Sequence, residues 1–234
     1  MISAAPSRPV LHYHGGKWRL APWIIGFFPP HRVYVEPYGG GASVLLRKAP
    51  VPSEVYNDIA SEVVNVFRVL RDPAQAAALR RLVELTPFAR DEFEDSYEET
   101  DDPVEGARRM VARAFMGFGS ASVNPWHSTG FRSGSRRSGT PPASDWFNWP
   151  AEVLRFTDRL RRVVIENRDA LEIIPQQDGP ETLFYVDPPY PHETRGSARG
   201  VRQKYAREMT TGDHRRLAGA LHRVEGMVVL SGYP

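Results

Sequence analysis

The sequence predicts an α/β fold: a mostly parallel sheet with helices on both faces. Three observations lead there. Short β-branched and aromatic runs alternate with segments of helical pattern along most of the chain. Those runs are largely apolar rather than alternating apolar and polar, as strands covered on both faces are. The first run ends in Pro37 and three successive glycines, Gly39 to Gly41, a sharp strand-to-helix junction.

The elements follow in order. Val33 to Glu36 is the first strand, and Ala42 to Lys48 is a short helix behind it. Val55-Tyr56 is a second strand that ends at Asn57-Asp58-Ile59, followed by a helix from about Ser61 to Leu70. Residues 71–117 read as helices, one holding Ala74 to Leu79 and another Gly106 to Phe115. Residues 118–150 carry no apolar period and are dense in Gly, Ser, Pro and Arg. Yet Trp126, Phe131, Trp146, Phe147 and Trp149 make that stretch too aromatic for ordinary disorder. Val163 to Asn167, Thr182 to Asp187 and Met227 to Leu230 complete five strands. Thr210 and Asp213 have capping-box spacing, with Asp in place of Glu, before a helix running to about Val224. The expected organisation is a main domain of residues 1–70 and 151–234, interrupted by an inserted helical and loop subdomain at 71–150.

Composition narrows the class. A chain of 234 residues buries enough surface to need no disulfide or metal staple. It has no cysteine, which excludes a disulfide scaffold, a cysteine-ligated zinc site and a cysteine nucleophile. The longest apolar runs, such as Ala21 to Pro30, are too short to span a bilayer, and no signal-peptide pattern opens the chain. No membrane partner and an intracellular location are therefore expected. The net charge of +2 hides a segregation. Residues 51–102 carry 13 acidic and 5 basic groups, residues 107–162 carry 10 arginines against 3 acids, and residues 195–223 carry 8 basic and 2 acidic groups. Two basic zones beside an acidic one suggest a surface that meets a polyanion on one side, although solvated helix faces would give the same count.

Three constellations carry chemistry. In Glu36-Pro37-Tyr38-Gly39-Gly40-Gly41, glycines let the backbone approach a ligand and present amides from a helix N-terminus. Such a turn can be merely structural. Asp58, at the end of the next strand, is where nucleoside-binding sheets place the carboxylate that accepts ribose hydroxyls. The pair implies a cofactor containing adenosine. The second constellation is Asp187-Pro188-Pro189-Tyr190, directly after an apolar strand. A carboxylate, a carbonyl fixed by proline and an aromatic ring suit a planar base with an exocyclic amine. The third is Tyr13-His14-Gly15-Gly16-Lys17, where a lysine beyond a Gly-Gly turn can reach a carboxylate or a phosphate.

In this order the three elements resemble the Dam-like family of DNA adenine-N6 methyltransferases, with matching elements spread over residues 12–233. The resemblance implies a Rossmann-like methyltransferase sheet, S-adenosylmethionine as methyl donor and transfer to an adenine flipped out of duplex DNA. It implies that Tyr13, Lys17 and the 36–41 loop, with Glu36, Pro37, Gly39 and Gly41, hold the methionine part. Asp58 would take the ribose and Asp169 the cofactor's adenine, while Asp187, Pro188 and Tyr190 would form the target pocket, with Asp187 also contacting the cofactor. No metal is expected. The inserted subdomain becomes a target-recognition region, with Arg132, Arg136 and Arg137 for groove and phosphate contacts. Arg195, Arg199, Arg202 and Lys204 would clamp phosphates around the extruded nucleotide. The expected partner is double-stranded DNA, with a cognate restriction endonuclease in a restriction-modification pair. A monomer, cytoplasmic and nucleoid-associated in a bacterium or phage, is expected.

The pattern departs from the family in one respect. Gly232-Tyr233 ends the strand after the catalytic motif and the sequence stops at Pro234, so the strands that usually complete the family's sheet are expected to be missing. Alternatives keep the chemistry but change the acceptor to cytosine N4, an RNA base or a protein amide. Related families usually carry Ser or Asn at the position of Asp187, which favours adenine. A non-catalytic DNA-binding remnant is a further alternative. A nicotinamide dehydrogenase would explain the glycine turn but leave Asp187 to Tyr190 without a role.

Overall fold

A computed structural model describes residues 5–119, 129–134, 141–190 and 208–232. Its centre is a five-stranded sheet of β1 (Val33–Glu36), β2 (Ser53–Asn57), β3 (Val163–Glu166), β4 (Thr182–Val186) and β5 (Met227–Leu230). All neighbouring strands run parallel, in the order β3-β2-β1-β4-β5. The α/β class and the covered, Rossmann-like sheet read from the sequence are present.

Alternation along the central strands divides the core in two. Tyr34, Tyr56, Leu183 and Tyr185 face a large apolar cluster, and Val35, Val55, Phe184 and Val186 face a smaller one. The large face is covered by α1 (Ala21–Ile25), α2 (Ser43–Arg47), α3 (Ser61–Arg71), α4 (Pro73–Leu85), α5 (Arg90–Asp95), α6 (Pro103–Met116), α7 (Pro142–Asn148) and α8 (Val153–Leu160). The small face is covered by α9 (Ala170–Gln176) and α10 (Thr211–Leu221). The apolar residues of α3, Val63, Val64, Val66, Phe67, Val69 and Leu70, are all buried, because they recur at helical spacing on the side turned to the sheet and α6.

Several boundaries differ from the sequence reading. The second strand begins two residues earlier, at Ser53, because Glu54 is buried in a pair with Lys48 (Nζ–Oε1 2.6 Å) and Arg159 (Nη2–Oε1 2.9 Å). Asn167 and Asp187 lie just past their strands, and α10 ends at Leu221 rather than near Val224. The capping box forms as its spacing implies: Thr210 Oγ1 accepts from the Asp213 amide, and the Asp213 carboxylate accepts from the Thr210 amide. Within 118–150 the structure adds α7, and Trp146 and Trp149 are core residues rather than loop aromatics. Their indole N–H groups donate to the carbonyls of Thr86 and Val10, both at 2.9 Å, so the large rings are buried with their polar atoms satisfied.

The charge zones meet each other. From the basic stretch, Arg108 pairs with Glu92 and Glu105, Arg113 with Glu62, and Arg159 with Glu54. These three arginines of the basic stretch thus pair with carboxylates of the acidic stretch 51–102. Of the arginines proposed for DNA, Arg132 is described, whereas Arg136, Arg137, Arg195, Arg199, Arg202 and Lys204 lie outside the described residues. Among the described residues, no helix is long and apolar enough to cross a membrane.

Candidate active site

The strand order reverses direction between β1 and β4. From β1 the chain moves outward to β2 and β3, then returns to the other side of β1 for β4 and β5. At such a switch point the loops leaving the two strands part in opposite directions and open a crevice above their carboxyl ends. Here that crevice is a cleft of about 370 Å³. The loops after β1, β2, β3 and β4 and the N-terminal Tyr13–Lys17 segment all border it.

The turn after β1 owes its shape to its glycines. Gly40 has φ of +47° and Ala42 has φ of +51°, so the chain passes through the left-handed region before α2. A Cβ on Gly39 would lie 2.2 Å from the Tyr56 ring, and one on Gly40 would lie 2.8 Å from the Tyr13 ring. The turn is held between two tyrosines, and the Tyr56 hydroxyl donates to the Gly40 carbonyl at 2.8 Å. Asn57 straps three strand ends together: its amide donates to the carbonyls of Pro37 and Arg168 and its oxygen accepts from the Arg168 amide.

Carboxylates ring the cleft. Asp58 accepts from the Gly40 amide at one oxygen and from the Ala60 amide at the other, both at 2.8 Å. These bonds fix the glycine turn beside the cleft. Burial raises the Asp58 pKa against the opposing effect of those amides. Glu36 Oε1 accepts from the Tyr34 hydroxyl and from the Leu45 amide, each at 2.7 Å. Burial nevertheless pushes the Glu36 pKa up to about 7. Asp169 caps α9 by accepting from the Leu171 amide at 2.8 Å.

Asp187, just past β4, holds the most developed set of side-chain contacts. Lys17 Nζ donates to Asp187 Oδ2 at 2.6 Å and to the Gly15 carbonyl at 2.8 Å. Burial opposes the ammonium charge, but the adjacent Asp187 carboxylate outweighs it and the Lys17 pKa is raised. The Tyr190 hydroxyl donates to Asp187 Oδ1 at 2.9 Å and lies 2.9 Å from the Ser231 hydroxyl. Ser231 is placed by its own amide, which donates to the Val186 carbonyl at 2.8 Å.

Tyr13, Lys17, Glu36, Pro37, Gly39, Gly41, Asp58, Asp169 and Asp187 thus all border one cleft. Tyr190 joins it through Asp187, and Pro188 lies between them in sequence. Two features of the arrangement differ from the sequence reading. Lys17, read as reaching a carboxylate or phosphate, reaches the carboxylate of Asp187 itself. Tyr190, read as a stacking ring, is also a hydroxyl donor to that carboxylate. Sequence reasoning missed Ser231, Asn57 and the buried Tyr185. Register could have found Ser231: Val186 is level with Leu230, so the next pair is Asp187 with Ser231. Arg132 is tied to the end of α6, its amide donating to the Met116 carbonyl at 2.7 Å. It does not border the cleft.

A family model described as D12 class N6 adenine-specific DNA methyltransferase matches residues 13–226, most of the chain. No curated protein matches it.

Proposed function

The chain belongs to the D12 class of N6 adenine-specific DNA methyltransferases, and on that premise we propose that it moves a methyl group from S-adenosylmethionine to the N6 of an adenine flipped out of duplex DNA. The observation that carries this reading is the meeting of two unlike half-sites in one cleft. A glycine cradle with buried carboxylates lies at the ends of β1 and β2, and Asp187, with Tyr190 bonded to it and to Ser231, lies beyond the ends of β4 and β5.

The cradle fits the cofactor. A side chain at Gly39 or Gly40 would meet a tyrosine, so glycine at both positions lets the turn that borders the cleft pack closely. Glu36 and Lys17 border the cleft where the amino and carboxylate groups of a methionine moiety would lie, Lys17 as an ammonium shared with Asp187 and Glu36 as a carboxyl that ionises near pH 7. Asp58 offers its outer lone pairs to ribose hydroxyls, and Asp169 stands where the adenine ring would be bounded. When bound, S-adenosylmethionine supplies an electrophilic methyl on its sulfonium.

The chain's own part is to prepare the nucleophile. An aryl amine is unreactive because its lone pair is delocalised into the ring. Asp187 and the Pro188 carbonyl each accept one amine N–H, which favours a more tetrahedral nitrogen with a localised lone pair. Asp187 needs no strong basicity, since the nitrogen becomes acidic once alkylated. Its contribution is orientation and a fixed electrostatic field. Lys17 and Tyr190 hold the carboxylate in place beforehand. Residues 71–150 serve as the target-recognition subdomain, with Arg132, Arg136 and Arg137 toward the groove. Arg195, Arg199, Arg202 and Lys204 neutralise phosphates.

Replacing Asp187 by Ala tests the assignment. Transfer of labelled methyl to duplex DNA should fall by at least a hundredfold, while calorimetric affinity for S-adenosylmethionine stays within a few fold. Near-normal turnover in the variant would show that Asp187 does not hold the amine.

A further inference from the structure

Among the described residues, one buried hydroxyl bordering the site has no hydrogen-bond partner. Tyr185 is 4% exposed and borders the cleft, yet its hydroxyl makes no hydrogen bond among the described residues. Burying a hydroxyl without a partner costs about 1–3 kcal/mol, so such a group is rarely retained where nothing binds it. A phenylalanine would fill the same space without that cost.

Its neighbours say what kind of group is awaited. Tyr185 lies on β4 two residues before Asp187, so both side chains project from the same face of the strand. On one side, Glu36 of β1 occupies the level next after the pair of Val35 with Phe184. On the other side, Val229 of β5 is its register partner, and Ser231 stands one step further along that face. The Ser231 hydroxyl bonds to Tyr190, and the described Glu36 bonds run to Tyr34 and Leu45. Burial, reinforced by the carboxylates of Asp187 and Glu36, raises the Tyr185 pKa against the opposing effect of the nearby Ser231 hydroxyl, which lies out of hydrogen-bond geometry with it, so the Tyr185 hydroxyl keeps its proton and remains a donor.

A base whose amine is held at Asp187 presents an acceptor nitrogen on the same edge. For adenine, the atom beside N6 on the Watson–Crick edge is N1, and flipped bases are commonly read along that edge. The geometry points to Tyr185 as a specificity residue: its hydroxyl donates a hydrogen bond to N1 of the target adenine, an inference that rests on the adenine-methylation reading above. Asp187 and the Pro188 carbonyl then accept from the amine while Tyr185 donates to its neighbour. An acceptor–donor pair of this kind matches adenine and rejects guanine, which offers a carbonyl and an N–H along the same edge.

The test pairs a conservative variant with an altered base. Single-turnover methyl transfer is measured for wild type and Tyr185→Phe on duplexes carrying the chain's methylation site, with adenine, 1-deazaadenine or 7-deazaadenine at the target position. The site is first identified by methylation-sensitive sequencing. Wild type should lose about tenfold or more on 1-deazaadenine, whose ring has a C–H in place of N1. Tyr185→Phe should lose a similar factor on adenine and little more on 1-deazaadenine, and both proteins should respond alike to 7-deazaadenine. Calorimetric affinity for S-adenosylmethionine should be unchanged in the variant. Equal 1-deazaadenine penalties in the two proteins would overturn the inference. Weakened cofactor affinity with equal penalties would also overturn it, assigning the hydroxyl to the cofactor instead. Failure of wild type to methylate adenine in any duplex would overturn the functional reading and this inference with it.

Discussion

Glu36 shows how a single carboxyl ties folding to the cleft's chemistry. Its pKa rises from 4.5 to about 7, chiefly by burial, and its bonds to Tyr34 and Leu45 offset that only in part. Between those two pH values the folded chain keeps a proton that the unfolded chain releases. Stability from the neutral form is therefore complete below the unfolded value and declines as pH rises through about 7. The whole effect is on the order of 3 kcal/mol, at roughly 1.4 kcal/mol per pH unit. Replacing Glu36 by Gln should remove that slope. Urea unfolding at pH 5 and pH 8 should show wild type losing stability relative to the variant as pH rises. Parallel pH profiles would mean that Glu36 titrates at its ordinary value. The neighbouring Asp58 was legible in the sequence as a carboxylate after the second strand. Its bonds to the Gly40 and Ala60 amides were not, since they depend on how two loops approach each other.

At the scale of elements, the junction of β1 with α2 carries the site. Gly39 rests against Tyr56, and an alanine there would place Cβ 2.2 Å from ring carbons held in the core. Gly39→Ala should therefore cost about 1–3 kcal/mol of stability, the usual range for overpacking. It should also weaken S-adenosylmethionine binding by at least tenfold, as the turn shifts away from Asp58. Thermal unfolding and calorimetric titration read the two effects separately, and intact cofactor affinity would show that this turn does not contact the cofactor. The strands and this turn could be read from the sequence because apolar runs and glycines are local signals. The helix α7 could not, because a segment of Pro142–Asn148 with no apolar period is stabilised by what Trp146 and Trp149 touch far away in sequence. The same holds for Glu54, whose start to β2 depends on Arg159 more than one hundred positions later.

Across the whole molecule, topology gathers the chemistry. Tyr13, Gly39, Asp58, Asp169 and Asp187 are scattered over most of the chain, and a parallel sheet with one reversal of order brings them to a single cleft. Their residue types and strand-end positions were visible in advance. What was not visible is the pairing among them: Lys17 with Asp187, Tyr190 with Ser231, and the unanswered hydroxyl of Tyr185. Strand register and loop closure set those pairings, and neither leaves a local pattern in the sequence. The charge distribution teaches the same lesson. Arg108, Arg113 and Arg159 count toward a basic zone along the sequence, and the fold places Glu92, Glu62 and Glu54 against them.

If this cleft methylates adenine in duplex DNA, the methylated nucleoside itself is the decisive readout. The purified chain is incubated with S-adenosylmethionine and a long unmethylated duplex of mixed sequence. The DNA is then digested to nucleosides and analysed by mass spectrometry. N6-Methyladenine should be the methylated nucleoside, accumulating with time and dependent on Asp187. Methyl groups found on cytosine, or cofactor bound with no methylated nucleoside formed, would contradict adenine methylation by this cleft.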